Sequence, residues 1–181
     1  YIEGLQAYTQ SQFIDSFRNL HLVNNYFWFS YLSELDDLQW KEFESSFRIS
    51  IEEQAKAENC PGTTGAVKAF IDYFPNASSV SISTLHQVVI DCYFQQAKKS
   101  IEAGNFTAAI ENYQAVILEY PETPAADQSQ EEIADVYLQL AENAWENADR
   151  DGALVYLQTV VDHYSFLPQS TQAATRMMEM H

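Results

Sequence analysis

The stretch from Asp91 to Pro121, DCYFQQAKKSIEAGNFTAAIENYQAVILEYP, decides the fold, because its residue types and spacings together specify two antiparallel helices. Tyr93, Ala97 and Ile101 recur at helical spacing, Gly104 and Asn105 interrupt the pattern, and a second amphipathic run follows through Ala109, Tyr113, Val116, Ile117 and Tyr120. Pro121 stops it. Ala97 and Ala109 lack bulk where two helices would cross closely, and Gly104 can take the backbone angles of a tight inter-helix turn.

This pattern resembles the tetratricopeptide repeat, a helix-turn-helix unit with an aromatic early in its first helix, small residues at the crossing, a turn glycine and a closing proline. The resemblance rests on Tyr93, Ala97, Gly104, Phe106, Ala109, Tyr113 and Pro121; Gln96 and Ser100 depart from it, standing where the family usually has Leu and often has Tyr. The pattern recurs. At an offset of 44, Asp91, Tyr93, Gln95, Ala97 and Ala109 reappear as Asp135, Tyr137, Gln139, Ala141 and Ala153, with Ala148-Asp149 at the turn. A weaker copy lies 46 residues upstream, where Val67, Phe70, Ile71, Phe74 and Pro75 stand as Tyr113, Val116, Ile117, Tyr120 and Pro121 do. A period above 34 requires the first helix of each later pair to be extended, or to follow a longer loop.

The run Glu-Tyr-Pro-Glu-Thr-Pro-Ala-Ala before a long helix narrows the resemblance to repeats of bacterial envelope proteins, the outer-membrane assembly lipoproteins and the periplasmic protein that accompanies the Tol-Pal complex. It covers about Tyr93 to Met180 and leaves residues 1–60 unmatched. It implies a scaffold that positions partners in the periplasm or at the outer membrane; a cytoplasmic location is the alternative. It also implies an all-α, right-handed solenoid of about eight antiparallel helices, with an aromatic-rich helical region over 1–60 and repeats over 61–181. Tyr93, Ala97, Ala109, Tyr113, Tyr137, Ala141, Ala153 and Leu157 should be buried at equivalent places.

Helical periodicity predicts the rest. Leu5 to Phe17 and Val23 to Leu38 read as helices over 5–19 and 20–38, the second ringed by Tyr26, Phe27, Trp28, Phe29 and Tyr31. Those rings are either wrapped by neighbours or form an apolar patch that captures a small apolar ligand or drives self-association, the competing function for this chain. A helix from Trp40 should end before a Cys60-Pro61-Gly62 loop, followed by a short helix over Thr64 to Phe74 and a loop from Pro75 to Ser79. Ser81 to Thr84 offers caps for a helix running to Ala103, with Thr84 and Gln87 at capping-box spacing. Further helices are expected over Asp127–Asn147, Asp151–Tyr164 and Gln169–Met180; Ser79 to Ser83 is the one strand candidate.

At 181 residues the chain can bury about 70% of its unfolded surface. It holds no run approaching the roughly 20 apolar residues that span a bilayer. A lipid anchor stays open, because a chain that starts at Tyr1 rather than Met reads as trimmed or processed. Nine basic against 26 acidic residues give a net charge of -17, which argues against nucleic acid and anionic membrane surfaces. Between Lys99 and Arg150 there is no Lys or Arg against eleven acids. That run is either a solvated face or a docking surface for a basic partner. Cys60 and Cys92 match no metal or redox motif; two free thiols are the default expectation, and a bridge is the alternative in an oxidising compartment.

Chemistry is not indicated. His21, His86, His163 and His181 are scattered singly, so no metal or other cofactor is expected, and no nucleophile or phosphate-loop motif is present. Asn76-Ala-Ser78 and Asn105-Phe-Thr107 fit the glycosylation sequon and read as chance matches. The resemblance therefore implies a non-catalytic interaction module whose inner surface is built from the first helix of each pair. By helical spacing that face carries Asp91, Phe94, Gln95, Lys98 and Ile101 in one repeat and Asp135, Leu138, Gln139, Glu142 and Trp145 in the next. Such a face suits a protein or peptide ligand with a basic group and two apolar anchors, unless Trp145 is ordinary core; a homo-oligomer is also compatible.

Overall fold

The computed structural model describes residues 37–180; the expected helix over 5–19, the aromatic ring cluster and all but the last two residues of the expected helix over 20–38 lie outside the described residues, and those two, Asp37 and Leu38, open the helix expected from Trp40. Seven helices and no strand are found among the described residues: α1 Asp37–Lys56, α2 Cys60–Tyr73, α3 Ser79–Glu102, α4 Phe106–Glu119, α5 Pro124–Glu146, α6 Arg150–His163 and α7 Pro168–Glu179. The chain divides into two compact units after Cys92, within α3.

Three of the connections are built alike. At α1–α2, α3–α4 and α5–α6 a left-handed residue ends the first helix: Glu58 at φ 62°, Gly104 at φ 74° and Ala148 at φ 61°. Its N–H bonds back three residues and the next N–H bonds back five, as in Gly104 to the Ile101 carbonyl at 2.9 Å and Asn105 to Ser100 at 2.8 Å. This is the Schellman closure, which satisfies carbonyls that the helix end would otherwise orphan. The following residue, Asn59, Asn105 or Asp149, then caps the second helix, its side-chain oxygen accepting the N–H of Gly62, Ala108 or Gly152 at 3.0–3.2 Å. Each second helix runs 14 residues and ends on an aromatic, Phe74, Tyr120 or Tyr164, whose N–H bonds to the carbonyl four residues earlier. The upstream copy is thus a full hairpin with the same turn as the other two.

In the unit ending at Cys92, α1 packs on α2 through Phe43, Phe47, Phe70 and Phe74, with ring centroids 4.7 Å apart for Phe70 and Phe74 and 5.3 Å for Phe43 and Phe74. Ile51 and Thr63 are fully buried; the Thr63 hydroxyl donates to the Asn59 carbonyl at 2.9 Å, so its burial leaves no orphan donor. Cys60 and Cys92 form a disulfide that ties the start of α2 to α3, in place of the two free thiols that the sequence favours. Burial of both positions brings two thiols into bonding range that sequence spacing alone does not.

In the second unit Ala97, Ala109, Ile110, Tyr113, Ile133 and Val136 form one core, and Ala134, Ala141, Ala153, Leu157, Val160, Ala173 and Met180 another; the two share Tyr137 and Tyr164 as partly buried neighbours. Seven of the eight positions expected to be buried are so; Tyr137 is only partly buried, its phenol ring lying tilted against Tyr156 and Tyr164 at the seam of the two cores. α7 packs on both α5 and α6.

Several expected boundaries shift, each for a reason of backbone chemistry. Cys60-Pro61-Gly62 opens α2 rather than forming a loop, because Asn59 caps there and proline is tolerated in a first turn. Ser79 to Ser83 is helix, not strand, and Thr84 is no cap: Ser78 takes that role, accepting the Ser81 N–H at 3.1 Å, while the Thr84 hydroxyl donates back to Val80. α5 starts at Pro124 rather than Asp127, capped by the Thr123 hydroxyl.

Candidate protein-binding groove

α5 and α7 face each other through a ladder of side-chain bonds. The Gln169 amide donates to Asp135 at 3.0 Å, and Arg176 donates through Nε and Nη2 to the two oxygens of Glu142 at 2.7 and 2.9 Å. A third nitrogen, Nη1, reaches Glu179 at 2.9 Å. Both cross-helix pairs are 34 residues apart, the period of a simple tetratricopeptide repeat. The offset of 44 arises because α5 extends about ten residues ahead of Asp135, so of the two options left by the sequence, longer helix or longer loop, the helix is longer.

Above this ladder lies an open groove of about 1160 Å³. Its α5 wall is Asp135, Leu138, Gln139, Glu142 and Asn143; its α7 wall is Thr171, Gln172, Thr175, Arg176 and Glu179, with Pro168 and Phe106 at the margins. Both walls follow the i, i+3, i+4, i+7 spacing that puts residues on one helix face. The lining mixes amide, hydroxyl and carboxylate groups with the apolar Leu138 and Phe106, a surface able to hydrogen-bond an extended backbone and seat an apolar side chain. The hydrogen bonds it donates to Glu142 and then Glu179 hold the Arg176 guanidinium above its ordinary pKa, so it stays charged. Because this ion pair is a third to a half exposed and screened by solvent, its two-pronged geometry serves mainly to hold α7 in register on α5.

Four of the five α5 residues picked out from sequence, Asp135, Leu138, Gln139 and Glu142, stand together on this wall. Trp145 is not in the lining; it is 38% exposed and outside both cores, and its carbonyl accepts the Ala148 N–H at the turn. Of the first-repeat set, Gln95 and Lys98 are exposed, and Asp91, also exposed, accepts a bond from Gln87 at 2.8 Å. Phe94 sits edge-on to Tyr113 at 5.2 Å, and Ile101 packs against the Ala97 and Ala109 core. None of these five lines the α5–α7 groove. The α7 wall carries no mark in the 44-residue similarity, which aligns helix starts. An offset of 34 from Asp135 and Glu142 leads straight to Gln169 and Arg176.

Among the described residues, no group of three or more His, Cys, Asp and Glu is placed to hold a metal ion, and no helix is long and apolar enough to cross a membrane. No curated protein matches the chain. Residues 91–123 match the family model of the tetratricopeptide repeat, a unit that is generally non-catalytic and mediates protein–protein interaction.

Proposed function

We propose that this chain is a non-catalytic scaffold that holds an extended segment of a partner protein in the α5–α7 groove, within a right-handed solenoid of about eight helices. The observation that carries the reading is the convergence of Asp135, Leu138, Gln139 and Glu142 with one face of α7 on a single open groove. We place it in the bacterial cell envelope, in the periplasm or at the outer membrane. The Cys60–Cys92 disulfide supports that location, since such bridges persist in oxidising compartments and are rare in the cytosol.

A photo-crosslinking side chain at Gln139 or Gln172, compared with one at Leu118 or Gln158 on exposed positions of α4 and α6, tests the groove in the native source. Adducts with a partner polypeptide are expected from the first pair and not from the second. Adducts from the control positions alone would refute the groove, and recovery of the protein with two free thiols from a reducing compartment would refute the envelope.

A further inference from the structure

We infer that the groove selects a cationic peptide, and that Arg176 occupies the partner's charge-binding position until a basic side chain of the partner displaces it. The inference rests on the groove being the binding site, and adds the chemistry of the occupant and a device that tunes its affinity. Residues 93–181 carry four basic groups, Lys98, Lys99, Arg150 and Arg176, against fourteen acids. α4 and α5 hold no Lys or Arg. Within the groove Asp135, Glu142 and Glu179 face a single cation, Arg176, leaving a net charge of about -2 on a surface from which an acidic peptide is repelled.

The one cation is fully engaged. Its Nε and Nη2 bind both oxygens of Glu142 and its Nη1 binds Glu179, so it presents no free fork to an anionic ligand. The geometry around those two carboxylates is the one an incoming arginine would need, with two oxygens of one acid in a fork and a second acid beside it. Both acids are partly exposed, at 47% and 58%, so a ligand side chain can reach them and exchange for Arg176. Asp135, which accepts a bond from the neutral Gln169 amide, lies about two helical turns away and offers a second anchor for a basic residue.

Fluorescence anisotropy on the intact, oxidised chain tests this. The probe is a labelled peptide of about twelve residues with arginines and leucines spaced by glycine and serine, read against the same peptide with glutamates for arginines. Asp135→Asn with Glu179→Gln should weaken the arginine peptide at least fivefold. Glu111→Gln with Asp162→Asn, the same charge loss on α4 and α6, should change it less than twofold. Arg176→Gln should tighten it severalfold by freeing two carboxylates, whereas a purely structural Arg176 would give looser binding or none; a thermal melt of each variant confirms that the helices persist. Equal losses in the two double variants, or equal binding of the glutamate peptide, would overturn the cationic preference. Weaker binding by a folded Arg176→Gln would overturn the displacement. Should crosslinks from Gln139 lead to an acidic segment, this inference fails while the groove stands.

Discussion

The first hairpin, α1–α2, and the third, α5–α6, turn the chain by the same device and fill the crossing with opposite materials. Each ends its first helix on a left-handed residue, Glu58 or Ala148, and caps its second with Asn59 or Asp149. Yet the alanines of the third crossing, Ala141 and Ala153, correspond to Ile51 and Thr63 in the first, and four phenylalanines surround that first crossing. The first hairpin is tied to α3 by a covalent bridge, whereas an exposed ion pair ties α5 to α7. The hairpin is therefore set by turn chemistry, and the bulk at the crossing can vary as long as the buried positions are filled.

Breaking the covalent tie should have the largest effect. Replacing Cys60 and Cys92 by alanine, or reducing them, reopens a loop with a sequence separation of 32, at a cost of about 3–4 kcal/mol in chain entropy. Glu142→Gln, which takes the charge out of the α5–α7 ion pair, should cost far less than loss of the disulfide. Hydrogen exchange checks both, with loosening expected in α2 for the first and in α7 for the second.

Overpacking comes next. Ala153→Trp or Ala109→Trp, placed at fully buried crossings, should lower stability by about 1–3 kcal/mol in a denaturant melt. An unchanged melt in both would mean that these alanines do not mark helix crossings.

At one equivalent position the second hairpin differs from its neighbours in alkali. Val67, Tyr113 and Leu157 are equivalent and buried, but only Tyr113 ionises, its phenol lying 3.5 Å from Glu132. Burial, and then the Glu132 charge, pushes its pKa from 10.0 up to about 12. Below pH 10 the phenol is neutral in both folded and unfolded chains, and its contribution to stability is complete. Above that the unfolded chain ionises first, so about 1–2 kcal/mol should be lost as pH rises toward 12. Tyr113→Phe should reduce that loss; an identical alkaline melt would show that other tyrosines carry it.

The smallest effect lies at the turns themselves. Ala148 holds φ 61° where Gly104 holds 74°, so Ala148→Gly should stabilise by up to about 1 kcal/mol and Gly104→Ala should destabilise by a similar amount. Thermal melts of the pair measure the strain stored in the alanine turn.

The central repeat was legible because it uses the residues the geometry demands: Gly104 for the left-handed turn, Asn105 for the cap, Ala97 and Ala109 for the crossing. The first hairpin was faint because Glu58, Ile51 and Thr63 do the same work with residue types that carry no such signal. The disulfide was not readable from the spacing of Cys60 and Cys92, since it depends on where α2 and α3 lie in space. The α5 wall of the groove was legible from helical spacing; the α7 wall was not, because Gln172, Thr175 and Arg176 look like an ordinary solvated face until the 34-residue register pairs them with α5.

Filling the groove tests the binding site most directly. Gln139→Trp with Gln172→Trp places bulk on both walls without touching either core, and affinity for the partner crosslinked from those positions should fall at least about tenfold at an unchanged melting temperature. Trp145→Ala, outside the lining, should alter affinity by less than about twofold. Undiminished binding by the filled groove, or a loss confined to Trp145→Ala, would contradict the assignment of the α5–α7 groove as the binding site.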